Sequence, residues 1–263
     1  ELARIAATCA PDHVWFADDI FGLRPDWTAA FGDAVAARGI RLPFTIQTRV
    51  DLVTDAAADG LARAGCAEAW LGVESGAQTV LDAMAKGIRV QDVVPATRRL
   101  QRRGIRVGWF LQLGYPGEGW TEVLATRALV RAGLPEAIGV SVSYPLPGTP
   151  FHARVADQLG AVRHWSDSRD LAMLFAGTYT TAFYRRLRDL LHRDHEARRD
   201  LTRALAASDG EAPPVGAAND GEPHATAPGV DAARRAVAAA ERAWQHLAAR
   251  EPAARHAAPT VLA

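Results

Sequence analysis

A short pattern that recurs four times places the strongest constraint on the fold of this chain. In each copy a helical segment closes on Arg-Gly or Arg-x-Gly and an apolar strand follows, in 37–48, 63–75, 102–113 and 131–144. The glycine suits the left-handed residue that ends a helix, and arginine is favourable beside the negative end of the helix dipole. Repeated helix-to-strand steps of this kind predict an α/β fold with a parallel sheet.

The number of these units limits the architecture. One more strand at 13–17 precedes the first copy, and helix-length segments occupy 26–38, 54–64, 77–103 and 119–132. Five strand–helix units are too few for a closed eight-stranded barrel, and the Rossmann motif G-x-G-x-x-G is absent. Because the chain opens in a helical pattern without methionine, we expect an upstream strand to be missing. The predicted fold class is α/β, a partial (β/α)6 TIM-like barrel that lacks its first strand and is followed by a helical C-terminal extension.

The pattern divides the chain into four regions. We expect the incomplete barrel to occupy 1–150 and the helical extension, which packs on the barrel, to occupy 151–207. Residues 208–229 are rich in glycine, proline and alanine without periodicity, so we expect a disordered linker there. Residues 230–263 are expected to form a terminal amphipathic helix and a loose tail.

The composition argues against several functional classes. The formal net charge is zero, so no overall field favours nucleic acid or a membrane surface. No apolar run approaches the roughly 20 residues of a membrane span. Cys9 and Cys66 are too few for a disulfide scaffold, which favours a cytoplasmic location. Neither cysteine has a partner at metal-ligand spacing, and we expect both to pack as small hydrophobic residues.

Polar residues follow every apolar strand, at the position where functional residues gather in parallel α/β folds. These strand ends are Asp18 and Asp19, Gln47 and Arg49, Glu74 to Gly76, Gln112 to Glu118, and Ser143 to Thr149. Because the carboxyl ends of parallel strands meet at one edge, the pattern predicts a binding site there.

Each polar candidate has a structural alternative. Asp18 and Asp19 could bind a divalent cation or an ammonium group. Alternatively, one of them caps the next turn. Arg49 could bind the carboxylate of a ligand. Alternatively, it forms an ion pair with an acid such as Asp51. Glu74 and Ser75 could bind a ribose diol. Alternatively, they cap a helix that starts at 77.

The fourth strand runs into a tight turn in GWFLQLGYPGE, residues 108–118. Leu111 and Leu113 suit a buried parallel strand, and Gly114 lets the backbone come close to another group. With Glu118 at its edge, this bare turn is suited to holding a flat ligand.

Four segments in this order and spacing resemble the radical SAM superfamily, and most closely its group with cobalamin-binding domains. They are FADDIF (16–21), GVESGAQTVLDAMAKG (72–87), FLQLGYPGE (110–118) and YPLPGTPF (144–151). The resemblance covers roughly residues 1–190. It implies that Asp18 and Asp19 meet the amino group of S-adenosylmethionine and that Arg49 holds its carboxylate. Glu74 and Ser75 then match the ribose site, and Leu111 and Leu113, with Gly114 to Glu118, match the strand and turn that line the adenine.

The resemblance also implies an activity. A member would cleave S-adenosylmethionine reductively at a 4Fe-4S cluster and generate a 5′-deoxyadenosyl radical. The cluster loop C-x-x-x-C-x-x-C is absent from this chain, and we expect its cysteines upstream. The resemblance leaves open whether cobalamin takes part, in methyl transfer or in rearrangement. It further implies a small-molecule, peptide or natural-product substrate and an electron donor such as flavodoxin or ferredoxin, and neither nucleic acid nor membrane.

Two other functions remain alternatives. One is a metal-dependent lyase or hydrolase that uses Asp18, Asp19 and Glu74 as ligands, and the other is a non-catalytic binding member that lacks the cluster.

Three aromatic residues and two histidines lie outside these motifs. His192 and His195 could bind one metal ion together or form part of an exposed basic face, and we favour the exposed face. The three aromatic residues could line a substrate pocket or pack in the core, and we favour core packing. They are Tyr179, Tyr184 and Trp165.

Overall fold

The fold was analysed in a computed structural model, which describes residues 1–159, 171–209 and 229–254. Its centre is a sheet of five parallel strands in the order β1-β2-β3-β4-β5, curled into a half-barrel. The strands are β1 Val14–Trp15, β2 Phe44–Thr48, β3 Cys66–Glu74, β4 Arg106–Leu113 and β5 Ala137–Val142. Each strand pairs with the next one along the chain, which confirms the predicted α/β class and the parallel sheet.

Helices connect the strands and continue beyond them. They are α1 Leu2–Cys9, α2 Pro25–Ala37, α3 Asp55–Ala64, α4 Gln78–Ala83, α5 Val90–Gln101, α6 Trp120–Gly133, α7 Pro150–Val155, α8 Thr181–Ser208 and α9 Val230–Ala254. The sequence predicted one helical segment at 77–103, and that is wrong, because α4 and α5 are separate helices. Ala85 and Gly87 between them have φ values of 53° and 71°, which a right-handed helix does not accommodate. No helix in the described ranges has the length and apolar character needed to cross a membrane.

Three of the four helix-closing glycines have the conformation that the repeat predicts. Gly39, Gly65 and Gly104 adopt φ values of 62°, 89° and 80°. The fourth prediction is wrong, because α6 continues through Gly133 and Leu134 takes the left-handed position with φ 42°. Gly133 has a different role: a methyl group there would collide with the indole of Trp109, so this glycine allows α6 to lie close to β4.

The two faces of the sheet differ in their surroundings. On β4, Trp109, Leu111 and Leu113 are buried, and Trp109 donates from Nε1 to Thr97 Oγ1 of α5 at 3.0 Å. These alternate residues therefore face the helical layer. Phe110 and Gln112 point to the opposite side and are only half-buried. We call that inner side of the curled sheet the concave face.

The C-terminal helices pack on the half-barrel. Leu187, Leu190 and Leu191 of α8 and Trp244 of α9 are buried in the same hydrophobic core as the strands. The two helices run antiparallel, because the start of α8 meets the end of α9: Tyr179 donates to Glu251 Oε1 at 2.5 Å. The predicted linker at 208–229 falls almost wholly outside the described residues, as does the tail after 254.

Candidate functional site

An ion pair lies on the concave face at the carboxyl end of β3. Lys86, the only lysine of the chain, reaches back from the loop after α4, and its Nζ lies 2.6 Å from Glu74 Oε1. Glu74 follows an irregularity in the β3–β4 register and has a φ of 61°, and its Oε1 lies on the same face as Gly72. The pair lies over Gly72, where an added Cβ would come within 2.9 Å of Lys86 Nζ.

Arg49 connects the end of β2 to the loop that carries Lys86. Its Nε and Nη2 donate to the two oxygens of Asp51 at 2.9 and 3.1 Å, and Nη2 also donates to the carbonyl oxygen of Lys86 at 3.0 Å. The ion pair with Asp51 is the structural alternative that the sequence offered. The predicted contact of Arg49 with a ligand carboxylate stays a prediction.

Ser75 lies away from the concave face. It is fully buried, its Oγ accepts from Ala77 N at 3.2 Å, and it lies 3.3 Å from Thr126 Oγ1 on α6. Thr126 also accepts from Gly76 N at 2.9 Å. Ser75 therefore fixes the turn that leads into α4, and the structure separates it from Glu74, its predicted partner at a ribose.

The turn after β4 is closed from within by Glu118. Its Oε2 accepts from Gly114 N at 2.5 Å, and its side chain is buried rather than at the edge of the turn. Gly114 is covered as well, because a Cβ there would lie 3.0 Å from both Met173 and Tyr184. The expectation of a bare turn is therefore wrong: the extension packs over it. Burial raises the pKa of Glu118 to about 8, although the Gly114 N–H opposes this shift.

Leu111 and Leu113, which the sequence placed along an adenine ring, direct their side chains toward the helices. A ligand on the concave face meets only the main chain of these residues. The side chains that do face it are Phe110 and Gln112, and Ser143 donates to Gln112 Oε1 at 3.4 Å.

Asp18 and Asp19 are exposed in the loop that follows β1. Arg24 occupies the N-cap position of α2, so neither aspartate caps that helix. Asp18 lies at a cavity of about 510 Å³, whose wall includes the rings of Phe16 and Trp27. The loop is attached to β2 because Phe21 N donates to Gln47 O at 2.7 Å.

The structure argues against a metal centre built from these residues. No three His, Cys, Asp or Glu side chains within 1–159, 171–209 and 229–254 lie close enough to hold a metal ion. Asp18, Asp19 and Glu74 therefore do not form the metal site of the lyase or hydrolase alternative. Cys66 is buried, and burial raises the pKa of its thiol. Cys9 is exposed on α1, far along the sequence from Cys66, so the two cysteines of this chain do not fit an iron–sulfur cluster.

The remaining candidates are structural. His195 is buried, and its Nε2 donates to the carbonyl oxygen of Pro135 at 2.8 Å, so the predicted exposed basic face is wrong for this residue. Burial lowers its pKa to about 4. Tyr179 and Tyr184 pack in the core, as favoured, and Trp165 lies outside the described residues.

Sequence reasoning missed three residues of the concave face, namely Trp70, Lys86 and Phe110. Lys86 is conspicuous as the single lysine, but its pairing with Glu74 depends on how the loop after α4 folds back. The signal for the two aromatic residues is their alternation with glycine in WLG (70–72) and GWFLQ (108–112).

Known proteins are similar to this chain in sequence and in fold. An uncharacterized methyltransferase of Pyrococcus horikoshii is 24% identical over 154 residues, which are 58% of this chain and 34% of that protein. The radical S-adenosylmethionine methyltransferase TsrM of Kitasatospora setae, solved with cobalamin and a [4Fe-4S] cluster bound, aligns with a TM-score of 0.54 and 22% identity. That match covers 71% of this chain and 38% of TsrM. Archaeal Elp3 of Methanocaldococcus infernus aligns with a TM-score of 0.50 and 15% identity, over 73% of this chain and 48% of Elp3.

The chain therefore spans roughly a third to a half of the length of these proteins. The family model that matches it is that of the Radical SAM superfamily, over residues 1–130. This range contains β1 to β4 and the Glu74–Lys86 pair. Taken with the parallel half-barrel, the match shows that residues 1–130 of this chain belong to the radical SAM superfamily of enzymes.

Proposed function

We propose that the concave face binds S-adenosylmethionine and that the chain is the catalytic-domain part of a radical SAM enzyme. One observation carries the proposal: Glu74 and Lys86 form a partly buried ion pair over Gly72, with side-chain exposures of 17% and 23%. The pair lies beside aromatic rings and the amide of Gln112. These groups offer a nucleoside an acceptor, donors and an apolar surface, so the residues present fit this cofactor.

In this proposal Glu74 binds the ribose hydroxyls through Oε2, which makes no hydrogen bond within the described residues. Lys86 acts as a positioning residue, because its bond to Oε1 holds the carboxylate in one orientation. The main chain of Leu111 and Leu113 flanks the adenine. Gly114 does not extend that wall, because Met173 and Tyr184 cover it and its N–H donates to Glu118.

The methionine end of the cofactor is assigned to the ends of β1 and β2. Asp18 and Asp19 are exposed carboxylates and bind the ammonium group. Arg49 binds the carboxylate through Nη1, because its Nε and Nη2 already donate to Asp51 and to Lys86 O.

S-adenosylmethionine, when bound and reduced by one electron, supplies a 5′-deoxyadenosyl radical. The task of this chain is to orient the cofactor and to exclude water from the concave face. A 4Fe-4S cluster would need thiolates that these 263 residues do not contain, so no step of the proposal is assigned to a cluster here.

The relatives extend the proposal to the whole protein. The Pyrococcus protein and TsrM are both named methyltransferases, which favours methyl transfer over rearrangement. Cobalamin is bound in the TsrM structure, and we include it as a second cofactor of the whole protein. The substrate is a small molecule, peptide or natural product, and flavodoxin or ferredoxin is the proposed electron donor.

The test is binding of S-adenosylhomocysteine to the 263-residue chain by isothermal titration calorimetry. This ligand keeps the adenosine and amino-acid groups and requires no cluster chemistry. We expect saturable binding, weakened about tenfold in Glu74→Gln, because a hydrogen bond to a charged group contributes about 1.5 kcal/mol or more. Glu196→Gln is the matched control, since Glu196 is exposed on α8. Equal affinities of the two variants, or no binding at all, would refute the proposal.

The non-catalytic alternative predicts the same binding but no cluster in the protein. Reconstitution of the full-length gene product with iron and sulfide, without oxygen, separates the two functions. An enzyme should gain a broad absorption band near roughly 400 nm, as iron–sulfur proteins do. A full-length protein without this band is a binding protein.

A further inference from the structure

Two aromatic rings stack on the concave face apart from the hydrophobic core. Trp70 of β3 and Phe110 of β4 have ring centroids 4.7 Å apart and an interplanar angle of 27°. Both side chains are half-buried, and neither belongs to the hydrophobic clusters of the described residues. We call this pair the aromatic platform.

Glycines on the neighbouring strands make room for the platform. Gly108 pairs with Trp70 across the sheet, and a Cβ on Gly108 would collide with three indole atoms at nearly equal distances. The indole therefore meets the main chain of β4 face-on. Gly139 pairs with Phe110, and its Cβ would lie 3.4 Å from both rings. Larger residues at these positions would lift or tilt the rings.

The residues around the platform differ from those of a barrel interior that only packs side chains and binds no ligand. Interior layers of parallel barrels consist mostly of branched aliphatic side chains, which interdigitate and leave no ligand space. Here flat rings and glycines occupy the layer, and the rings keep part of their surface accessible. The platform therefore has the features of a binding surface.

The platform adjoins the proposed cofactor site. Phe110 pairs with Gly72, the residue over which the Glu74–Lys86 pair lies. Gln112 follows two residues later on the same face. Its carbonyl oxygen accepts from Ser143, whereas its amide nitrogen makes no hydrogen bond within the described residues. A ligand on the platform would thus meet a planar apolar surface and a hydrogen-bond donor at one edge.

We propose that the aromatic platform binds the substrate of the reaction, and that this substrate carries a planar aromatic or heteroaromatic ring. The inference rests on the proposed function, because it places the substrate beside the cofactor. Offset stacking on the ring surface of the platform that stays accessible orients the ring, and the Gln112 amide donates to a ring heteroatom or carbonyl group.

Two neutral probes that differ in planarity test this. Benzamide and cyclohexanecarboxamide share the amide group, and their binding to the 263-residue chain is measured by saturation-transfer NMR titration. We expect benzamide to bind and cyclohexanecarboxamide to bind at least threefold more weakly. Phe110→Leu should weaken benzamide binding roughly three- to tenfold, the factor that an aromatic pair contributes, and Phe110→Tyr should retain it.

The chain offers a matched control in a second aromatic stack. Trp27 and Phe31 on α2 lie with centroids 5.4 Å apart, in the wall of the cavity at Asp18 rather than on β3 or β4. Phe31→Leu should leave benzamide binding unchanged, and circular dichroism melts verify that each variant is folded. Equal losses in Phe31→Leu and Phe110→Leu would overturn the assignment, as would equal binding of the two probes.

Repeating the titration with saturating S-adenosylhomocysteine separates this proposal from the proposed function. Benzamide that binds beside the nucleoside supports a separate substrate position. Benzamide that is displaced shows that the platform holds the adenine, which overturns the substrate assignment and leaves the proposed function intact. Benzamide that binds where S-adenosylhomocysteine does not would refute the proposed function alone.

Discussion

At the scale of one residue, the carboxyl group of Glu118 stabilises the turn that follows β4. One of its oxygens accepts from Gly114 N, and the other has no hydrogen-bond partner within the described residues. Tyr184 lies close by, and its hydroxyl also lacks a partner there. Because burial raises the pKa of Glu118 to about 8, the group is neutral when folded at pH 7.

This burial predicts a pH dependence of stability. In the unfolded chain Glu118 loses its proton near pH 4.5, whereas in the folded protein it does so near pH 8. The folded state therefore binds more protons between these values, and the free energy of unfolding falls as the pH rises, by on the order of 5 kcal/mol in total. Glu118→Gln keeps an acceptor for Gly114 but cannot ionise.

We expect Glu118→Gln to match the wild type near pH 5 and to exceed it in stability at pH 8. Urea unfolding at both values measures the difference. Glu196→Gln, at an exposed position on α8, is the control for loss of a carboxylate. Parallel stability profiles of wild type and Glu118→Gln would contradict the assigned burial.

At the scale of elements, one buried aspartate joins α8 to α6. Asp194 of α8 is 4% exposed at its side chain and accepts from Arg127 and Arg131 of α6 and from Arg198 of α8, at 2.9–3.2 Å. Burial opposes the charge, but Arg131 and Arg198 hold the pKa of Asp194 below its usual value. Glu241 of α9 joins the same guanidinium groups at 2.7 and 2.8 Å.

Removal of the Asp194 charge should therefore loosen α6, α8 and α9 together. Asp194→Asn removes the buried one of the two acids that Arg127 and Arg131 share, and the expected loss of unfolding free energy is about 3 kcal/mol. Asp189→Asn on the same helix removes an exposed charge, so we expect a change below about 0.5 kcal/mol. Thermal melts followed by circular dichroism measure both, and equal melting temperatures would show that the cluster contributes little.

At the scale of the whole molecule, two buried groups shape the pH profile in opposite directions. The pKa of His195 is lowered to about 4, so the unfolded state binds more protons below pH 6.5 and acid destabilises the fold. Glu118 contributes the reverse slope between pH 4.5 and 8. Each slope is about 1.4 kcal/mol per pH unit, so the two cancel between pH 4.5 and 6.5.

The wild type should then show a plateau of stability from pH 4.5 to 6.5. In His195→Gln the amide replaces the donor to Pro135, and the acid-side loss disappears. Stability of this variant should keep rising as the pH falls through that window, in chemical denaturation at half-unit steps. A variant that retains the plateau would show that His195 is not its source.

The sequence predicted the parallel half-barrel because its signals are local: a helix-ending glycine, then an apolar strand. It also located the edge where Glu74 and Arg49 lie. It could not predict which polar residues face the ligand side, since that depends on distant partners. Ser75 is held by Thr126, and Gly114 is covered by Met173 and Tyr184.

The single lysine has a consequence for chemical labelling. Lys86 is the single lysine of these 263 residues, so its Nζ is their one side-chain primary amine. This amine is engaged with Glu74 on the concave face. An amine-selective acylating reagent therefore has one internal target, and its reaction rate there reports on the ion pair itself. A fluorophore attached to Lys86 would therefore lie at the place where we propose that the cofactor binds.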